Sequence, residues 1–175
     1  VPRPKDYVDS VAFPTELTLR PMAVARSPYR QRHGTPRQAA VLDPAETEPK
    51  DGIIELLPHI PTPALKDLDG FDYIWVIALL HLNESWKPVL APPRDPDRSG
   101  RGVLATRAPH RPNFLGLSAL KLLRVDGRNV HVRGLDLLDG TPILDIKPYV
   151  PYCDAFPDAS AGWVDGIPVV GGRPG

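Results

Sequence analysis

The chain has 175 residues, enough for one domain with a real core and too few for two ordinary ones. Its 21 basic and 21 acidic side chains cancel, which excludes a protein that holds polyanions by bulk charge alone. Hydrophobic residues make up 42% and charged residues 24%, a globular composition, and the 23 prolines exclude a fold dominated by long helices. The single cysteine, Cys153, permits no internal disulfide and fits a reducing, cytoplasmic setting. The longest apolar stretch, 74–80, is far shorter than a membrane span, and no charged-then-apolar signal segment opens the sequence.

Residues 1–16 read as a proline-punctuated extension with a short strand around 7–11. Residues 17–25 alternate imperfectly, and Ser27-Pro28-Tyr29 ends them, as for a strand running into a loop. Between Leu17 and Leu42 stand five arginines (Arg20, Arg26, Arg30, Arg32, Arg37) and no acid, whereas beyond Gly134 six aspartates face only Lys147 and Arg173. Charge is therefore segregated along a neutral chain. A strand is expected over 52–57, then a break at Pro58, Pro61 and Pro63, then a short helical turn at most over 64–68. Residues 73–80 are aromatic and β-branched on both faces, as in a buried strand.

A charged, proline-rich excursion follows over 84–101, long enough to be functional. Val103-Leu104 reads as a strand end, and Ala105-Thr106-Arg107-Ala108-Pro109-His110-Arg111-Pro112-Asn113 as a binding loop whose prolines hold it extended with its donors displayed. Strands over 117–125 and 130–134 flank Asp126-Gly127-Arg128-Asn129, an antiparallel hairpin signal, with Val130 and Val132 on one face and His131 and Arg133 on the other. A last strand, 142–146, follows the turn Asp139-Gly140-Thr141, and beyond Pro148 the chain turns to Pro, Asp and Gly. Six or seven short strands with short helical turns and long loops make a mainly β fold, a barrel or a sandwich. The expected units are an extension 1–16, a β domain 17–158 and a tail 159–175.

Several chemistries fail on context. Gly100-Arg101-Gly102-Val103-Leu104-Ala105 fits a dinucleotide fingerprint in letters but runs toward Pro109 rather than opening a helix. The five histidines are widely spaced, the cysteine has no partner in sequence, and Ser118 lies inside a strand rather than at a nucleophile elbow, so neither a metal centre nor a serine hydrolase is indicated. What remains is polar where its surroundings are apolar: Thr35-Pro36-Arg37-Gln38, His81 at the end of an apolar strand, and the run from Leu135 to Pro142.

Together with Arg26-Ser27-Pro28-Tyr29, Gly70-Phe71-Asp72-Tyr73-Ile74-Trp75-Val76, Arg111-Pro112-Asn113 and the stretch through Tyr149, these motifs occur in an order that resembles the TsaA-like, TrmO-type family over roughly 19–158. The resemblance implies a single-sheet antiparallel β-barrel that binds S-adenosyl-L-methionine (SAM), forms a homodimer and methylates N6 of threonylcarbamoyladenosine next to the tRNA anticodon. Carried over by motif, it implies cofactor contacts at Pro36, Arg37, Gln38, His81, Leu82, Arg107, Leu117, Leu138, Asp139, Gly140 and Thr141. The chemistry of that cofactor suits Arg107 to its carboxylate, Asp136 or Asp139 to its ribose or amine, and Leu117 with Leu138 to its adenine ring. Asp139 is the proposed acceptor of the departing proton. Arg26, Arg30, Arg32, Arg111, Asn113 and Tyr149 are the expected RNA contacts.

Two positions depart from the family's usual pattern: Asn113 is followed by Phe114 where proline is common, and His81 by Leu82 where glutamine is common. Members that modify tRNA often continue into a further C-terminal domain, whereas this sequence ends soon after Gly166-Ile167-Pro168. A SAM- or RNA-binding module without catalysis, or a small-molecule methyltransferase, therefore stay open as alternatives.

Overall fold

Buried and half-exposed side chains alternate along the main strands of the computed structural model, which describes residues 14–31, 50–93, 95 and 97–167. Six strands close into an antiparallel barrel: β1 (Ala23–Arg26), β2 (Asp51–Leu56), β3 (Tyr73–Leu79), β6 (Leu115–Asp126), β7 (Asn129–Arg133) and β8 (Pro142–Pro148), in the order β1-β2-β7-β6-β3-β8. Two further strands, β4 (Val89–Leu90) and β5 (Arg101–Gly102), pair inside the excursion, and α1 (Pro151–Asp154) follows β8. No helix among the described residues is long and apolar enough to cross a membrane.

The barrel interior is one cluster, with Ile54, Leu56, Ile74, Val76, Leu120, Val130, Val132, Leu135 and Ile143 almost wholly buried. Burying each such side chain contributes about 1.5–3 kcal/mol, so a two-residue period in sequence becomes a closed core. β6 and β7 form the expected hairpin, Asp126 pairing with Asn129 across Gly127-Arg128. Gly127 has φ 58° while Arg128 is not left-handed, the pattern of a type II′ turn, which matches strand twist.

β1, β3 and β7 end, and β2, β6 and β8 begin, at the same mouth of the barrel, as the antiparallel registers require. Three connections therefore leave from and return to that mouth: 27–50, 80–114 and 134–141. The other mouth carries 57–72, the tight hairpin and the residues after β8.

Several expectations need correction. Pairing in the 17–25 segment starts only at Met22, because Pro21 has no N–H to donate, and Leu17 and Leu19 stay exposed. Val103 and Leu104 are not a strand end but open a 3-10 turn, Val103–Ala105, in which Val103 is buried and Leu104 points outward. β3 is not buried on both faces: Ile74, Val76 and Ala78 point inward, while Tyr73, Trp75, Ile77 and Leu79 form a half-buried outer face. The helical turn expected over 64–68 is two 3-10 turns, Thr62–Leu65 and Leu68–Gly70. The strand expected around 7–11 lies outside the described residues.

Gly52 sits where β2 passes under Leu135: a Cβ there would lie 2.5 Å from the Leu135 Cδ2 and 3.1 Å from the Arg26 carbonyl oxygen. Gly52→Ala is expected to cost about 1–3 kcal/mol, as overpacking does. Gly102→Ala, with nothing within 4 Å, is expected to stay within about 0.5 kcal/mol. Thermal unfolding of the two variants checks the contrast.

Candidate functional site

The mouth is built by a seam between the first strand and the approach to the last. Met22 N–H donates to the Ile143 carbonyl (2.8 Å), Ala25 N–H to Thr141 (2.9 Å), Gly140 N–H to Ala25 (2.8 Å) and Asp139 N–H to Tyr29 (2.7 Å). Ser27 tightens it: its hydroxyl donates to the Leu137 carbonyl (2.7 Å), its N–H to Asp139 Oδ1 (3.2 Å), and its Oγ accepts from Tyr29 N–H (3.2 Å). Gly140, with φ 82°, supplies the left-handed residue that this turn needs. Thr141 is buried, Leu138 half-buried and Asp139 exposed, so the turn offers an apolar side chain and a carboxylate together.

A second connection brings the other residues. His81 and Leu82 lie in the turn after β3, both exposed, and Leu80 N–H donates to the Phe114 carbonyl (2.8 Å). The Asn83 amide reaches both Leu80 O (3.2 Å) and Pro109 O (3.3 Å), tying the His81 turn to the arginine loop. Arg107 is exposed, and its guanidinium donates to the Leu117 carbonyl (3.1 Å), which sets a cation beside the outward Leu117 side chain, itself 52% exposed. Beneath, the buried Ser118 hydroxyl donates to Asp136 Oδ1 (2.7 Å).

The arginine loop is not the extended display expected from its prolines. It turns back on itself through Arg111 N–H to Pro109 O (3.0 Å) and Phe114 N–H to Arg111 O (3.2 Å). The half-buried Arg111 guanidinium is used within the loop, on the carbonyls of Thr106 (2.8 Å) and Ala108 (3.3 Å). Asn113 is exposed at the loop's end. Phe114 has φ 49°, a strained conformation for a bulky residue, held by hydrogen bonds on both its N–H and its carbonyl.

Of the expected site residues, His81, Leu82, Arg107, Leu117, Leu138, Asp139, Gly140 and Thr141 all stand on connections or strand ends of one mouth, with Arg111 and Asn113 in the connection that carries Arg107. Arg26 and Arg30 flank an open groove of about 430 Å³ with Asp51, His131 and Asp139. Arg26 is committed there to Glu55 (2.7 Å), whose hydrogen bond and charge hold its guanidinium above its ordinary pKa. Tyr149 is not with them: it sits at the far end of β3, packed on Trp75 (5.5 Å between ring centroids) and Tyr73 (6.2 Å). Arg32, Pro36, Arg37 and Gln38 lie outside the described residues.

The excursion is anchored by groups that sequence reading passed over. Arg101 pairs with the buried Asp95 (2.8 Å) and with Asp97 (3.3 Å), and its other face stacks on the Trp163 ring (5.3 Å). Trp163 Nε1–H donates to the Ala105 carbonyl (2.7 Å), two residues before Arg107. Nothing in composition signals this, because the partners are 58 and 62 residues apart.

Against known proteins, residues 24–155 match the family model described as the tRNA-methyltransferase O N-terminal domain. The chain belongs to the TrmO family. RcsF of Pseudomonas aeruginosa is 43% identical over 154 residues, 86% of this chain and 62% of that protein. The tRNA (adenine(37)-N6)-methyltransferase of Escherichia coli strain K12 is 35% identical over 153 residues, 84% of this chain and 63% of its own length. The crystal structure of TrmO from Pseudomonas aeruginosa superposes with a TM-score of 0.66 at 36% identity, covering 84% of this chain and 62% of that one. The chain therefore spans a little over three-fifths of these relatives.

The Asp95–Arg101 pair gives a pH test. The hydrogen bond from Arg101 holds the Asp95 carboxyl below its ordinary pKa, against the opposing effect of burial. A depressed folded-state pKa stabilises above the unfolded value, about 3.9, and the contribution is lost as pH falls through the folded value. Amide protection over 97–106, corrected for intrinsic exchange, is expected to hold from pH 7 to about pH 4 and to fall below it. In Asp95→Asn it is expected to be low throughout.

Proposed function

We propose that the chain is the SAM-binding, methyl-transferring part of a tRNA methyltransferase acting on N6 of adenine 37, with threonylcarbamoyladenosine as the finer substrate. The observation that supports this reading is that Arg107, Leu117, His81, Leu82 and the 138–141 turn all belong to one mouth of a TrmO-family barrel, with Arg107 on the Leu117 carbonyl. The residues fit the ligand: a guanidinium suited to its carboxylate stands beside an exposed leucine, and the turn pairs an apolar side chain with an exposed carboxylate. When bound, SAM supplies an electrophilic methyl group for in-line transfer. The chain's own work is positioning, which is worth several kcal/mol of barrier, and removal of the N6 proton. Both aspartates accept a hydrogen bond, Asp136 from Ser118 and Asp139 from the Ser27 N–H, but Asp136 is half-buried and Asp139 exposed, which favours Asp139 as the proton acceptor. The same reading gives a homodimer across the outer flank of Trp75, Ile77, Leu115 and Leu117, and a cytoplasmic setting shared with tRNA.

A second reading has its own support. A Pyrococcus abyssi relative, 35% identical and covered over 80% of its length, is described as a probable S-adenosyl-L-methionine-binding protein. In that case the chain binds SAM without transferring its methyl group to RNA.

Calorimetry with SAM, followed by mass spectrometry of nucleosides from tRNA incubated with protein and SAM, separates the readings. The methyltransferase gives saturable binding and a 14-Da gain on the N6-modified adenosine. The binder gives the first result alone, and absence of both sinks the proposal. Asp139→Asn keeps an oxygen for the Ser27 N–H but removes a base, so turnover is expected to fall about 10²–10⁴-fold with SAM affinity retained. Unchanged turnover in that variant would leave Asp139 as a clamp only.

A further inference from the structure

The outer surface of the barrel has two unlike flanks. On β3 the outward residues are Tyr73, Trp75, Ile77 and Leu79, and at the mouth end of β6 they are Leu115, Leu117 and Ala119. Further along, β6 changes character. Lys121 and Arg124 are both exposed and outward, the register slip between Leu122 and Arg124 keeping both on the outside.

Strand pairing then lines up basic side chains that are distant in sequence. One row runs Arg124–His131–Ile53–Arg26 across β6, β7, β2 and β1, and the next runs Lys121–Arg133–Asp51 across β6, β7 and β2. The first row holds two arginines, a histidine and no acid over three strand spacings, about 14 Å. Among the described residues the acids on this face are Asp51, Glu55 and Asp126; Glu55 is paired with Arg26 (2.7 Å), and Asp51 with Arg133 (2.8 Å), Arg124 and His131 adding only longer-range attraction to it. Lys121, Arg124 and His131 make no side-chain ion pair or hydrogen bond among the described residues. The rows open at the mouth into the groove lined by Arg26, Arg30, His131 and Asp139.

We infer that this flank is a track for the phosphate backbone of the RNA substrate, with Lys121, Arg124 and His131 as contacts beyond the mouth and Arg26 and Arg30 guiding the strand into it. The inference rests on the methyltransferase reading for the identity of the polyanion. Basic side chains without a direct ion pair on a rigid sheet, leading to a groove at the mouth, suit a phosphodiester chain, because each phosphate that Lys121 or Arg124 neutralises releases counterions. A sheet also fixes the spacing of its cations, which a loop does not. An acidic protein surface is the competing occupant, and the test distinguishes it.

Fluorescence anisotropy with a labelled tRNA that carries threonylcarbamoyladenosine at position 37, at salt from 50 to 200 mM, reads the track directly. The double variant Lys121→Glu/Arg124→Glu is expected to bind this tRNA at least about tenfold more weakly, with a salt slope smaller by about two. SAM affinity and circular dichroism should stay as in the wild type. Lys121→Gln/Arg124→Gln should give the same direction with a smaller loss, which guards against a folding defect from charge reversal. Lys147→Glu, an exposed cation on β8, should bind this tRNA as the wild type does. If the wild type binds and methylates tRNA but the double variants bind equally well, the flank serves another partner or none and the track is overturned while the enzyme reading stands. An equal loss from Lys147→Glu also overturns it, since the effect would then be general charge. If the wild type binds no tRNA at all, the enzyme reading falls and the track falls with it.

Discussion

The seam between β1 and the approach to β8 is the constraint on which the rest depends. It is the shortest pairing in the barrel, Ala23 with Ile143 and Val24 with Pro142, yet without it the six-stranded sheet has two open edges. Hydrogen bonds from Met22, Ala25, Gly140 and Asp139 extend it past the paired residues, and Ser27 adds three more contacts. The same bonds that close the barrel therefore hold the 138–141 turn in place, so stability and site geometry share one structural cause. Such a turn can present Asp139 to a ligand without being free to move away from it.

The strands legible in sequence are those whose inward residues repeat every second position, β2, β6 and β7, with Val130 and Val132 the clearest pair, whereas β8, with a register slip between Ile143 and Asp145, is legible only from the turn before it. What was not legible follows from long-range partners. Apolar alternation over 17–25 suggests a full strand, but only Met22 onward finds Ile143 and Thr141 to pair with. Val103-Leu104 looks like a strand in two letters, and becomes a 3-10 turn because Val103 N–H is taken by the Pro88 carbonyl, across the β4–β5 pair. For the site, the polar segments stood out from apolar neighbours, while the role of Arg111 did not. Its charge suggested an outward ligand, but the nearest acceptors it finds are carbonyls three and five residues back.

Phe114 shows how such a loop can absorb a departure from the family pattern. A phenylalanine at positive φ costs of order 1–3 kcal/mol, and here its N–H and carbonyl are both engaged, by Arg111 and Leu80. Asn83 reinforces the junction from the other side through Pro109. A proline could supply neither this N–H nor this φ, so the phenylalanine closes the junction with backbone interactions that the family's common residue cannot make, and Arg107 stays next to Leu117.

Net charge conceals the arrangement that matters most for function. A neutral chain that mixed its charges evenly would offer RNA no preferred approach. Here the barrel separates them by geometry. β3 and the start of β6 carry aromatic and aliphatic residues outward, while the far half of β6, with β7 and the end of β1, carries basic side chains, and two neighbouring acids on β2, Asp51 and Glu55, are held in pairs. The division falls within one strand, between Ala119 and Lys121, so a twelve-residue strand borders both flanks. An apolar flank and a basic flank therefore share one barrel without overlapping, because the curvature of a closed barrel turns them in different directions.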